Sequence, residues 1–140
     1  MSLYLDASVL LPILIHEPSS PRIDRFMAEA AEPLLVSEFA AAETASALSR
    51  LIRIGHLNGD DAKERLLDFD AWRATETSLV DVESADVRSA AVIVRRFELR
   101  LRAPDALHLA ISRRLDAVLV TLDIRLAQAA HAIDLPVIQP

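Results

Sequence analysis

The chain has 140 residues, no cysteine, a formal net charge of −6 and 52% hydrophobic residues. That length fits one compact domain, read here as residues 1–140, with a core of its own, and the lack of cysteine excludes a disulfide framework or a thiolate metal site. The acidic balance excludes a broad basic surface for gripping nucleic acid, but not an enzyme that meets phosphate through a cation in an acidic pocket, since the ion inverts the local charge.

In chain order, "LYL" at 3–5 is a short apolar run ending at Asp6, and a helix begins at Ala7 with a kink expected at Pro12. This apolar start carries an Asp at its centre and has no basic leader, so it is a poor signal peptide. No apolar run reaches the roughly 20 residues needed to span a bilayer, and the expectation is a cytoplasmic protein without membrane contact. Ser20 and Pro21 open a second helix. "LLV" at 34–36 reads as a buried strand. A long helix follows from about Glu38 to Ile54, capped by Ser37 and stopped by Gly55, with Leu48, Leu51 and Ile52 toward the core. Another starts after Gly59, with Asp60 as its cap, and ends near Arg73. "TSLVDV" at 77–82 is a strand and the segment 83–98 an amphipathic helix. Pro104 begins a largely buried helix, "AVLVTL" at 117–122 is a strand, 123–133 a helix and 136–139 a last strand. Strands alternating with helices predict a three-layer α/β/α sandwich around a mostly parallel sheet of 4–5 strands.

Ligands of an open parallel sheet bind beyond the carboxyl ends of its strands. Asp6 and Asp123 both lie at such ends. Each also begins a helix, so capping and chemistry are both open. Asp6 interrupts apolar sequence on both sides, where an ionised group costs several kcal/mol (on the order of its desolvation) unless paired or bound to a cation. Glu43 stands in a helix lined with Ala and Ser, where close approach of another backbone would enclose it; a surface pair with Arg50 is the alternative. Asp105 occupies the first turn after Pro104, where it also suits the helix dipole. His108 follows one turn later and has no second His at zinc-ligand spacing, so it reads as a core or supporting residue.

Carboxylate oxygens are hard ligands suited to Mg²⁺ or Mn²⁺. Such an ion neutralises a phosphodiester and activates a water. Without it, clustered acids repel one another, and raised carboxylate pKa values are expected. Ser8 and Thr121, each two residues from an acid, offer hydroxyls to hold the carboxylates or the local backbone. Arg102, Arg125 and Arg50 are the candidate phosphate contacts; Lys63 is the only lysine.

The segments "LYLDASVLL", "SEFAAAETASALSRL", "LRAPDALHLAISRRL" and "LVTLDIRLAQAA" resemble the PIN-domain ribonucleases, and within them the VapC-type toxins of bacterial toxin–antitoxin pairs. Asp6, Glu43, Asp105 and Asp123 match the family's four acids in order. The resemblance implies a metal-dependent endoribonuclease that is usually dimeric and is held inactive by a cognate antitoxin. The alternatives are a housekeeping RNA-processing nuclease and a PIN-like domain that only binds a partner. Two positions depart from the pattern: Pro104 beside the third acid and Ile124 after the fourth, neither of which removes a ligand. Receiver domains and Asp-x-Asp phosphatases fit poorly, because Lys63 lies on a predicted helix and position 8 is Ser8.

Overall fold

The computed structural model describes residues 1–140. Five short strands, β1 (Leu3–Leu5), β2 (Leu34–Ser37), β3 (Ser78–Val80), β4 (Val118–Val120) and β5 (Val137–Ile138), form one sheet of order β3-β2-β1-β4-β5. All pairs are parallel. The chain builds outward from β1 to β3, then returns to the other side of β1 for β4 and β5. The winding direction therefore reverses between β1 and β4, where a doubly wound sheet opens a crevice at its carboxyl edge.

Side chains alternate along each strand and feed two separate cores. Leu3, Leu5, Leu34, Val36, Val118 and Val120 pack into one layer, with α1 (Ala7–Leu14), α2 (Ser20–Glu29), α3 (Glu38–Arg53) and α4 (Gly59–Glu76). Tyr4, Leu35 and Leu119 point the opposite way, into α5 (Ser84–Val94), α6 (Ala103–Arg114) and α7 (Ile124–Ala132). A sheet buried on both faces has no room for polar alternation, which is why its strands read as continuous apolar runs. The result is the expected three-layer sandwich with a wholly parallel sheet.

Several boundaries differ from the sequence expectation. The cap of α4 is Asn58, whose side chain accepts from the Asp61 amide, rather than Asp60. Ser20 lies inside α2 and does not cap it; its hydroxyl donates to the Pro12 carbonyl and accepts from the Glu17 amide, tying the end of α1 to the start of α2. α1 runs through Pro12 and ends two residues later. Ile52 faces solvent, because Ala40, Thr44 and Leu48 form the buried stripe of α3. α5 stops at Val94; a 3₁₀ turn at Phe97–Leu99 follows, and Arg100 adopts a left-handed conformation with φ 56°.

α5 and α6 pack side by side and are joined by a charged pair. Asp86, only 2% exposed, accepts from Arg114 Nε at 2.7 Å and Nη2 at 2.9 Å. Burial alone would raise the Asp86 carboxyl, but the hydrogen bonds from Arg114 and the Glu83 amide outweigh it and hold the group below the usual carboxylate range. A depressed acid stabilises the fold above its ordinary pKa of about 3.9, and the contribution is lost as pH falls through the lower folded value. Asp86→Asn is therefore expected to lose about 2–3 kcal/mol at neutral pH. In urea unfolding, the gap between parent and variant should begin to narrow as the pH falls below about 3.9, where the unfolded chain takes up the proton first, and close as the pH passes the lower folded value.

Candidate functional site

The reversal between β1 and β4 brings Asp6 beside the segment that leaves β4. Asp6 caps α1, accepting from the Ser8 amide at 3.1 Å. Its Oδ1 also accepts from the Ser8 hydroxyl at 2.5 Å, and its Oδ2 accepts from the Thr121 hydroxyl at 2.6 Å. Those hydroxyls have a second task. Ser8 Oγ accepts from the Leu122 amide at 2.8 Å, and Thr121 Oγ1 accepts from the Asp123 amide at 3.0 Å. With both hydroxyl protons given to Asp6, none is left for the 3.2 Å contact between the two oxygens. Ser8 and Thr121 thus stitch the loop after β4 to the end of β1 through one carboxylate.

Asp6 is 4% exposed. Burial raises its carboxyl pKa, against the hydrogen bonds from Ser8 and Thr121 that favour the ionised form. Repulsion among neighbouring acids was the cause expected from sequence; desolvation is the cause in the fold.

Asp105 and Asp123 line one open cleft of about 550 Å³, together with Arg102, Leu122, Ile124, Arg125 and Gln128. Asp123 is exposed and caps α7, its Oδ1 accepting from the amides of Arg125 and Leu126. Asp105 sits in the first turn of α6, where its Oδ2 accepts from the Arg102 amide at 3.2 Å. α6 runs back against the β4 that follows it, so its first turn lies at the sheet's carboxyl edge. The Arg102 side chain is 83% exposed and reaches Asp105 only at 4.0 Å.

Glu43, in the second turn of α3, meets α6. Its Oε1 lies 2.5 Å from His108 Nε2, and the Glu43 side chain keeps 30% exposure. This replaces the surface pair with Arg50, which is exposed. His108 Nδ1 lies 2.8 Å from the Tyr4 hydroxyl, which is 2.8 Å from Ser37 Oγ. Burial raises the Tyr4 phenol far above its ordinary value, so it stays protonated. Tyr4 was not singled out from sequence, and Ser37 only as the cap of α3. The available signal was chemical: a Tyr or His in an apolar run needs a hydrogen-bond partner once buried. The partner's position, 104 residues away from Tyr4 in the case of His108, was not visible.

All four sequence-selected acids thus lie toward one edge of the sheet, and Asp105 and Asp123 share a cleft. No three acidic or histidine side chains stand at metal-ligating spacing. The arrangement is an open rim of oxygen donors rather than a closed cage. It suits Mg²⁺, which retains several waters and takes one or two carboxylates, better than zinc.

A family model described as PIN domain matches residues 3–132. Among solved structures, the VapC20 toxin of Mycobacterium tuberculosis, described as cleaving the sarcin–ricin loop, is similar at a TM-score of 0.76 and 18% identity, over 99% of this chain and 100% of that one. FitAcB from Neisseria gonorrhoeae is similar at 0.72 and 19%, over 99% and 97%. VapBC2 from Rickettsia felis, solved on a DNA fragment of its promoter, is similar at 0.69 and 14%, over 99% and 98%. At these identities the likeness is one of fold. A comparison of the sequence with curated proteins finds no match.

The stitch makes a stability prediction. Thr121→Val strips a donor from buried Asp6 and an acceptor from the Asp123 amide, and is expected to destabilise by about 2–3 kcal/mol. Thr121→Ser, which keeps the hydroxyl, should stay within about 1 kcal/mol of the parent. Chemical denaturation of the two variants side by side checks this; Val keeps the γ-methyl and Ser the hydroxyl, so a larger loss in Thr121→Ser than in Thr121→Val would mean that packing of the methyl group, not the hydroxyl, matters there.

Proposed function

Since the chain belongs to the PIN-domain family, we propose that it is a divalent-metal-dependent endoribonuclease, the toxin half of a toxin–antitoxin pair, with residues 1–140 acting as one domain. The observation that carries the reading is Asp6. A carboxylate 4% exposed at the winding reversal has only neutral partners, two hydroxyls and an amide. Keeping an acid there works against stability, and a cation at the carboxyl edge gives that acid a purpose.

The residues that would hold the ion are Asp6, Glu43, Asp105 and Asp123, one or two of them directly and the others through the waters it retains. Mg²⁺ or Mn²⁺, when bound, supplies charge neutralisation of the phosphate and activation of a water. The chain's own residues do the rest. Ser8 and Thr121 fix the direction of Asp6. The α7 cap fixes Asp123 at the mouth of the cleft. Arg102 and Arg125 line the same cleft as Asp105 and Asp123, and in this reading they meet phosphates flanking the cut. Arg100 continues this basic edge into an adjoining cleft that shares Arg125 and Gln128. RNA as substrate class is taken from the toxin described as cleaving the sarcin–ricin loop.

An antitoxin partner is supported by fold neighbours solved as toxin–antitoxin complexes. Surfaces for it, or for a second copy in a homodimer, are at hand. One apolar cleft runs between α5 and α6, lined by Val87, Ala91, Val94 and Leu107; another lies between α1 and α4, at Ile13 and Trp72. No helix is long and apolar enough to cross a membrane; a cytoplasmic site of action is part of the proposal.

Asp6→Asn preserves the cap, since Asn caps about as well as Asp. It is expected to be at least as stable as the parent, yet to lose Mg²⁺-dependent cleavage of RNA and any growth arrest on expression. Cleavage and arrest at the parental level would sink the assignment. For the arginines, RNA binding is measured on the Asp6→Asn protein by fluorescence anisotropy across a salt series. Arg102→Ala and Arg125→Ala should each lower the slope of log K against log[salt] by about 0.7. An unchanged slope would remove that residue from the phosphate path.

A further inference from the structure

We propose that Ser37, Tyr4 and His108 form a one-way hydrogen-bond relay that fixes the His108 ring as its Nε2–H tautomer and thereby positions the Glu43 carboxylate, an inference that rests on the reading of Glu43 as part of the catalytic set. The direction follows from where each proton can go. Ser37 Oγ accepts from the Ala40 amide at 2.9 Å as the cap of α3. Its own proton has one partner, the Tyr4 hydroxyl at 2.8 Å. Tyr4 Oη must then accept from Ser37, and its proton goes to His108 Nδ1 at 2.8 Å. A nitrogen that accepts carries no proton in a neutral ring, so the ring proton sits on Nε2, facing Glu43 Oε1.

The reverse direction fails the same count. If Tyr4 donated to Ser37, the Ser37 proton would be buried with no acceptor. Ser37 and Tyr4 are each 0% exposed and His108 is 3% exposed, so bulk solvent does not replace the missing partner. The ring is also held in place. Tyr4 and Phe39 lie against it with centroid separations of 5.7 and 5.4 Å.

The relay closes on itself. It starts at the residue that caps α3 and ends on Glu43 of the same helix, after passing through β1 and α6. The start of α3 and the orientation of its acid are therefore set together. Only Oε1 of Glu43 is engaged by a protein donor, which leaves Oε2 without one. Ser37, Tyr4 and His108 touch no substrate in this scheme; they are positioning residues.

The test reads the tautomer directly. Long-range ¹H–¹⁵N correlation on histidine-labelled protein near neutral pH should give His108 the Nε2–H pattern. A ring protonated on Nδ1 only, or on both nitrogens, overturns the proposal. This readout needs no activity, so it stands even where the parent fails to cut RNA, a result that would count against the proposed function instead. A second arm separates positioning from packing. His108→Gln retains an N–H for Glu43, and His108→Leu retains apolar bulk without one. If the parent cuts RNA, the Leu variant is expected to lose about 10–100-fold in kcat with KM little changed, and the Gln variant to recover most of that loss. Equal activity in the Leu variant and the parent, or equal loss in the Gln and Leu variants, overturns it.

Discussion

The carboxylate of Asp6 is buried where the sheet reverses its winding, and two hydroxyls from opposite sides of that reversal hold it. Ser8 comes from the helix that follows β1, and Thr121 from the first residue past β4. Each gives its proton to Asp6 and takes an amide proton from the segment at 122–123. Without this stitch an ionised acid at that depth would cost several kcal/mol, on the order of an unpaired buried charge. With it, one carboxylate organises both the β1–β4 junction and the approach to α7. Under the proposed function, the same burial that makes Asp6 awkward for stability favours its pairing with a cation at the edge.

Every acid at this edge is also built into local structure. Asp6 and Asp123 cap α1 and α7, and Asp105 ties the first turn of α6 to the backbone of Arg102. Glu43 is the exception: it caps nothing, and its oxygen is fixed instead by His108 from the opposite layer. A chemical site gains precision when its side chains sit on helix starts rather than free loops, because the capping bonds remove rotamer freedom beforehand. For Asp6, Asp105 and Asp123, the residues that fix a helix start are thus also the candidate ligands.

The cleft balances charge locally. Two acids and two arginines line it, on a chain whose net charge is −6. Under the proposed function, an RNA at this edge would meet Arg102 and Arg125 beside the two acids of the cleft.

The sequence by itself determined the element order, the two-faced burial of the strands and the positions of the four acids. Those are local properties: apolar runs, breaks at Pro and Gly, and Asp or Ser at helix starts act within a few residues. It did not reach the finer boundaries. Asn58 rather than Asp60 starts α4, because the residue before the first turn has the extended backbone a cap needs. Tertiary structure alone decided the partners. Strand order placed Thr121 against Asp6 across 115 residues, and strand alternation turned Tyr4 and Ser37 toward α6. Those meetings fixed which oxygen of Asp6 is held by which hydroxyl, and paired Glu43 with His108, 65 residues on, rather than with Arg50 two turns along its own helix. Local chemistry specifies which groups require partners; only the crossing of the chain specifies where they are met.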